Sequence, residues 1–132
     1  MKRILVIGAG RSSTTLINYL IETCETYNWS LTVADSDLNL AEQKTAHSDC
    51  AIAVELDVNN DDVRQSLIQD KDIVVSLLPA FLHPIVAKDC LLYGIHLLTA
   101  SYLNQEIMDM ESLAKEKGLL FMGEMGLDPG ID

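Results

Sequence analysis

At 132 residues the chain has the length of about one domain, and its 48% hydrophobic and 22% charged residues are typical of a globular protein. Its 20 acidic side chains outnumber the 9 basic ones, which gives a formal net charge of −11. This charge has the wrong sign for binding a nucleic-acid backbone or an anionic membrane surface, so neither is an expected partner.

Six short apolar runs along the chain predict β-strands. Each run has aliphatic and β-branched residues at consecutive positions, which is the pattern of strands that are covered on both faces in a parallel sheet. In chain order the predicted strands are Arg3–Gly8, Leu31–Asp35, Ala51–Leu56, Asp72–Pro79, His96–Ala100 and Leu119–Gly123.

Five helical patterns lie between these runs, at Thr14–Cys24, Leu38–Ala46, Asp61–Ile68, Pro84–Tyr93 and Gln105–Lys117. Asp37 and Asn60 are suitable N-caps for the second and third helices, and Gly94 and Gly118 are placed to end the last two. The alternation of strands and helices predicts an α/β fold. We expect a Rossmann-type doubly wound parallel sheet of about six strands with helices on both faces, formed as one domain over residues 1–132.

The connection after the first predicted strand reads GAGRSS, at residues 8–13, and resembles the dinucleotide-binding fingerprint. In that fingerprint the first glycine makes a tight turn, and the second lets backbone N–H groups approach a pyrophosphate at the helix N-terminus. Ser13 replaces the third glycine but is small enough to keep the helix close to the strand. A plain tight connection is the alternative. The predicted cofactor-binding residues in this turn are Gly8, Gly10, Arg11, Ser12 and Ser13.

Asp35 ends the second predicted strand, close to the spacing of roughly 20 residues at which an acid binds the ribose hydroxyls of a dinucleotide. A carboxylate there would accept a hydrogen bond from the 2′-hydroxyl of NAD and repel the 2′-phosphate of NADP. Asp35 therefore favours NAD. NADP stays open because Arg11 could reach a phosphate, and a further alternative is that Asp35 only caps the next helix.

The segments after the fourth and fifth strands, Ser76–Pro84 and Thr99–Asn104, lie at the edge of the sheet where ligands bind in such folds. His83 could carry a proton or could be a packing residue. The hydroxyl groups of the second segment could orient a polar substrate or cap a helix.

The last ten residues, GEMGLDPGID at positions 123–132, follow the sixth predicted strand. Pro129 and Gly130 would shape this segment into a loop over the nicotinamide end of a bound cofactor. Such a loop is typical of the wall of a binding site or of a hinge between domains.

The cysteines and apolar runs bear on the compartment of the protein. Cys24, Cys50 and Cys90 form neither a CxxC spacing nor a Cys/His ligand set, and their odd number argues against a closed disulfide framework. The apolar run Ile4–Ile7 is too short for a signal peptide, and no run approaches the length of a membrane span. We expect reduced thiols, no metal site and a cytoplasmic location.

The segments SLLPAFLHPIVAKDC, TASYL and, most specifically, GEMGLDPGID resemble the N-terminal cofactor domain of saccharopine dehydrogenases of the L-glutamate-forming type. The resemblance extends over essentially the whole chain. It implies that the chain is truncated before a second domain that binds the substrate and forms a homodimer. It also implies a reaction in which glutamate and 2-aminoadipate 6-semialdehyde form an imine that a nicotinamide hydride reduces to saccharopine, or the reverse oxidation.

The resemblance further implies which residues hold the adenosine half of the cofactor. Gly10–Ser13 are implied to bind the pyrophosphate, Asp35 and Ser36 the adenosine ribose, and Asp57 and Val58 the adenine side. The fungal members of the family have a basic residue after the second strand that holds the NADP phosphate. Asp35 departs from that pattern, which again favours NAD.

Around the nicotinamide and the substrate, the implied residues come from the later segments. Leu78 is implied to line the cofactor, and Ser101 and Tyr102 to contact saccharopine. Asp128 is our candidate catalytic residue, a carboxylate near the amine of the substrate. The residues implied to bracket the nicotinamide are Leu127, Pro129, Gly130, Ile131 and Asp132.

The carboxylates of saccharopine need cationic partners, and the chain offers few near the predicted crevice. Those partners are expected in the missing domain, so the present chain should bind cofactor without turning over substrate. Two alternatives remain open. One is a related dehydrogenase of the carboxynorspermidine type, and the other is a non-enzymatic regulatory domain that senses NAD.

Overall fold

A computed structural model describes residues 2–10, 13–99, 112–119 and 121–122 of the chain. Six strands lie in these ranges: β1 (Arg3–Ile7), β2 (Ser30–Asp35), β3 (Ala51–Glu55), β4 (Ile73–Ser76), β5 (His96–Thr99) and β6 (Phe121–Met122). The helices are α1 (Thr14–Tyr27), α2 (Leu38–Thr45), α3 (Asp61–Ile68) and α4 (His83–Tyr93), with a 3₁₀ helix at Ala80–Leu82. Residues 112–116 are also helical.

The strands form one parallel sheet in the order β3-β2-β1-β4-β5-β6. The chain moves outward from β1 to β3, then returns to pair β4 with the other side of β1. This reversal creates a crevice at the carboxyl ends of β1 and β4, where doubly wound sheets bind their ligands. The register aligns these ends, since Ile7 lies opposite both Ala34 and Ser76. The predicted Rossmann-type sheet is confirmed.

Alternate residues of the central strand supply two separate cores, one on each face of the sheet. Leu5 and Ile7 pack into the core that contains α3 and α4, whereas Ile4 and Val6 pack into the core that contains α1 and α2. Burial of each such side chain contributes roughly 1.5–3 kcal/mol. Helices on both faces therefore explain why apolar residues occur at consecutive positions in the strands.

The predicted capping residues lie at the ends of their helices. The side chain of Asp37 accepts a hydrogen bond from the N–H of Asn39 at 3.0 Å, and that of Asn60 accepts one from the N–H of Val63 at 3.2 Å. Gly94 ends α4 in the left-handed conformation, with φ +73°. The predicted start of the fifth helix lies outside the described residues.

Two predicted boundaries are wrong by three residues each, and several others differ by one residue. Helix α1 continues past Cys24 to Tyr27, because the left-handed residue that ends it is Asn28, with φ 60°. Strand β4 ends at Ser76, since the following apolar residues leave the ladder and turn into the 3₁₀ helix. Leu119, the predicted start of the sixth strand, lies outside it, and β6 is described at Phe121–Met122.

The three cysteines are free thiols in the structure. Cys24 and Cys90 are fully buried, and burial raises the pKa of the Cys24 thiol to about 11 and that of the Cys90 thiol still further. Both thiols are therefore protonated and unreactive at neutral pH. Within the described residues, none of the helices has the length and apolar character needed to cross a membrane.

Candidate cofactor-binding site

The turn after β1 is held tightly against the neighbouring strands. The N–H of Gly8 donates to the carbonyl of Ala34 at 2.8 Å, and Gly8 has φ +112°. A Cβ atom at this position would lie 3.2 Å from the carbonyl carbon of Leu77. Both the backbone conformation and the close approach of the chain leaving β4 therefore require glycine at the first position of the turn.

Gly10 differs from Gly8 because the space in front of it is open. A Cβ atom built on Gly10 would meet no atom of the described residues within 4 Å, and its φ is not in the left-handed region. The backbone of the turn is thus accessible at the position where the fingerprint brings a pyrophosphate close. The geometry fits the predicted role of the second glycine.

Ser13 closes the turn onto the first residues of α1. Its N–H and its hydroxyl both donate to the carbonyl of Gly10, at 3.0 and 2.5 Å, and the residue is buried. The hydroxyl proton is therefore used within the turn. Helix α1 begins directly after this turn, and the N-terminus of a helix is suited to an anionic group.

The carboxylate of Asp35 connects the end of β2 to the glycine turn. One oxygen accepts the N–H of Ala9 at 2.7 Å, and the other accepts the N–H of Asp37 at 2.8 Å. Each oxygen keeps a lone pair that can accept a ribose hydroxyl. The alternative in which Asp35 only caps the next helix is wrong, because Asp37 caps α2. Ser36 lies exposed beside this carboxylate.

The loop after β3 carries the two residues predicted for the adenine side. The carboxylate of Asp57 accepts the N–H of Asn59 at 3.0 Å, and the carbonyl of Asp57 accepts the N–H of Asn60 at 2.8 Å. The carbonyl of Val58 accepts a hydrogen bond from Arg64 at 2.6 Å. Asp57 is exposed and Val58 half-buried at the carboxyl edge of the sheet, next to the end of β2.

At the end of β4, Leu78 is half-buried and packs against the core that contains α3 and α4. Ser76, the last residue of β4, is hydrogen-bonded through its hydroxyl to Nδ1 of His83 at 2.8 Å. His83 is 2% exposed, and burial lowers its pKa. Its imidazole is therefore neutral, and the packing interpretation of His83 fits the structure better than proton transfer to a ligand in the crevice.

Two cations near the site were missed by the reasoning from sequence. Lys44, in the last turn of α2, donates to the hydroxyl of Thr14 at the start of α1, so its ammonium lies near the glycine turn. Arg64, on α3, is buried behind the loop after β3. Their positions depend on the packing of helices that are distant in sequence, and the chain gives no motif for either.

The remaining predicted site residues stay predictions because they lie outside the described residues. They are Arg11, Ser12, Ser101, Tyr102, Leu127, Asp128, Pro129, Gly130, Ile131 and Asp132. Among the residues that the structure does describe, no three His, Cys, Asp or Glu side chains are grouped so as to hold a metal ion.

Comparison with known proteins gives matches over the whole fold. The family model described as the saccharopine dehydrogenase NADP binding domain matches residues 4–122. The chain is 34% identical over 131 residues to the mitochondrial alpha-aminoadipic semialdehyde synthase of Rattus norvegicus, covering 99% of this chain and 14% of that protein. It is 33% identical over 132 residues to the NADP(+), L-glutamate-forming saccharopine dehydrogenase of Schizosaccharomyces pombe, covering 100% of this chain and 29% of that protein.

A solved structure agrees with these sequence matches. The apo saccharopine dehydrogenase (L-Glu forming) of Saccharomyces cerevisiae superposes with a TM-score of 0.85 at 31% identity, over 100% of this chain and 29% of that one. The present chain thus spans less than a third of the length of these relatives.

Proposed function

Because the chain belongs to the saccharopine dehydrogenase NADP binding domain family, we propose that it is the cofactor domain of an oxidoreductase that interconverts saccharopine with glutamate and 2-aminoadipate 6-semialdehyde. The structural observation that carries the cofactor-binding part of the proposal is the pair of hydrogen bonds that Asp35 accepts. They hold a carboxylate at the mouth of the glycine turn, with lone pairs left for a ribose.

The chain's own residues bind and orient the dinucleotide. The open backbone at Gly10 and the N-terminus of α1 receive the pyrophosphate, Asp35 and Ser36 receive the adenosine ribose, and the loop at Asp57–Val58 borders the adenine. The bound nicotinamide supplies the hydride chemistry.

The substrate side of the proposal rests on residues of the later segments. Ser101 and Tyr102 contact the substrate, and Asp128 lies near its amine. The cationic partners of the substrate carboxylates come from the rest of a longer protein, which acts as a homodimer. The 132-residue chain alone binds cofactor and does not turn over saccharopine.

We further propose that the preferred cofactor is NAD(H), although the names of the fungal relatives specify NADP(+). The carboxylate of Asp35 is proposed to accept the ribose 2′-hydroxyl, and it would repel a phosphate at the same position. Lys44 and Arg11 are the cations that could offset this repulsion. The argument for NAD(H) is that a carboxylate, and not a cation, ends β2 at the predicted ribose site.

The test is a titration of the chain with NADH and with NADPH, followed by nicotinamide fluorescence. We expect tighter binding of NADH. In Asp35→Ala the NADH affinity should fall about tenfold or more, since a charge-assisted hydrogen bond is lost. The ratio of NADH affinity to NADPH affinity should also be smaller in this variant than in the wild type.

Asp72 provides a matched control. Its carboxylate accepts the N–H of Arg3 at 2.7 Å, a bond similar to that of Asp35 but at the opposite edge of the sheet. Asp72→Ala should leave the NADH affinity unchanged. Equal losses in the two variants would contradict the ribose role of Asp35, and tighter binding of NADPH by the wild type would contradict the NAD(H) preference.

A further inference from the structure

A buried arginine lies directly behind the predicted adenine side of the crevice. Arg64 of α3 is 4% exposed, and its guanidinium donates to three oxygens. One is the carbonyl of Val58 at 2.6 Å, another is the carboxylate of Asp61 at 2.9 Å, and the third is the carboxylate of Asp89 on α4. A single side chain therefore links the loop after β3 to two helices.

Asp89 is as deeply buried as Arg64, and its second oxygen accepts the side-chain amide of Gln65 at 3.2 Å. A buried ion pair of this kind is a weak source of stability, because desolvation offsets the attraction, and well-packed apolar residues often serve as well or better. Stability alone is therefore a poor explanation for Arg64. An apolar pair would lack a donor for the carbonyl of Val58.

That carbonyl belongs to the loop proposed to border the adenine. The other bonds described within the loop are local, from Asn59 and Asn60 back to Asp57. At the start of the loop, the N–H of Leu56 donates to the carbonyl of Asp35 at 2.9 Å. The bond from Arg64 therefore anchors the middle of the loop to α3 and, through Asp89, to α4.

We propose that Arg64 is a positioning residue for the adenine subsite. It holds the carbonyl of Val58 and so keeps the Asp57–Val58 backbone in the conformation that receives the adenine end of the dinucleotide, without touching the cofactor itself. The inference rests on the proposed function, since it assumes that this crevice binds a nicotinamide dinucleotide. The guanidinium is charged at all working pH values, so the anchor is permanent.

The test separates positioning from stability with the double variant Arg64→Met/Asp89→Leu. This variant replaces the ion pair by apolar side chains, so no unpaired charge is buried and we expect the chain to fold. Three probes are titrated: NADH, AMP as the adenine half, and reduced nicotinamide mononucleotide as the other half. We expect an unfolding midpoint near that of the wild type, a loss of about tenfold in affinity for NADH and AMP, and less than a twofold change for the mononucleotide.

Arg64→Lys keeps a charge beside Asp89 and provides a second variant if the double variant does not fold. One ammonium cannot replace the guanidinium fork, so we expect the same adenine-selective loss, about threefold. The matched control is Arg3→Met, because the ion pair of Arg3 with Asp70, at 3.6 Å, is half-exposed and lies away from the loop after β3. This control should bind all three probes like the wild type.

Several results would overturn the inference. Wild-type affinities for NADH and AMP in the folded Arg64 variants would show that Arg64 serves stability alone. Equal losses for AMP and the mononucleotide would show a general loosening of the fold. A wild-type chain that binds neither NADH nor AMP would refute the proposed function itself, and this inference with it.

Discussion

Glycine occurs at positions 8 and 10 for two different physical reasons. Gly8 has φ +112° and approaches the backbone of Leu77, whereas a Cβ on Gly10 would meet no atom of the described residues within 4 Å. Gly8→Ala should therefore lower the free energy of unfolding by about 1–3 kcal/mol, the cost of a strained backbone position. Gly10→Ala should change it by less than about 0.5 kcal/mol, as at unconstrained surface sites, but should weaken NADH binding because the methyl group fills the space in front of the turn.

Urea denaturation of the two variants measures the difference in stability, and NADH titration measures the difference in binding. The folded Gly10→Ala variant separates the site from the scaffold. Similar stability losses in both variants would contradict the assignment of strain to Gly8.

The buried imidazole of His83 predicts a pH dependence of stability. Burial lowers its pKa from the ordinary value of 6.5, so the unfolded chain takes up a proton at a pH where the folded chain does not. The unfolded state then binds more protons, and stability falls as the pH decreases below 6.5 until the folded imidazole is protonated too. Above that pH the imidazole is neutral in both states, so His83 adds no pH dependence to the unfolding free energy.

His83→Asn should reduce this loss, because its side chain does not titrate but can still bond to Ser76. Chemical denaturation at about pH 7, 6 and 5 checks the slope. The same measurement on His47→Asn, which removes an exposed histidine, is the control. A His83→Asn slope equal to that of the wild type would contradict the role of His83.

At the scale of elements, the parts of the fold with local causes could be predicted from sequence. The caps at Asp37, Asn60 and Gly94 act within one turn of their own helix, and their helix ends lie where the sequence indicates. The end of α1 could not be predicted in this way. Asn28 ends the helix in the left-handed conformation, but most asparagines do not adopt that conformation, so the residue type alone does not mark a helix end. The end of β4 depends on where ladder pairing stops, and the apolar run continues past it.

The same distinction divides the candidate site. The glycine turn and Asp35 could be predicted from a motif and a spacing, because both follow directly from the strand–turn–helix order. The bonds that hold them could not. The N–H of Ala9 reaches Asp35 across 26 residues, and Arg64 reaches Asp89 across 25. Such pairs are set by helix and strand packing, which no local pattern encodes.

At the scale of the whole molecule, the surplus of acidic side chains is the dominant long-range force. With 20 acidic and 9 basic side chains, repulsion among the negative charges destabilises the compact folded state. At 0.1 M salt, interactions between exposed charges are screened beyond about 10 Å. We expect added sodium chloride to raise the unfolding free energy by about 1 kcal/mol, or the Tm by a few degrees.

Salt also weakens the attraction within ion pairs, which lowers the stability and opposes the gain from screened repulsion. Arg3–Asp70 and Lys71–Asp70 are partly exposed and contribute about 0–1 kcal/mol each. Many exposed pairs contribute nothing measurable, so we expect the screening of a net charge of −11 to have the larger effect. Arg64–Asp89 is buried and is screened little. Thermal unfolding from about 10 to 300 mM sodium chloride decides between these effects, and a Tm that falls with salt would show that attraction between opposite charges outweighs the repulsion.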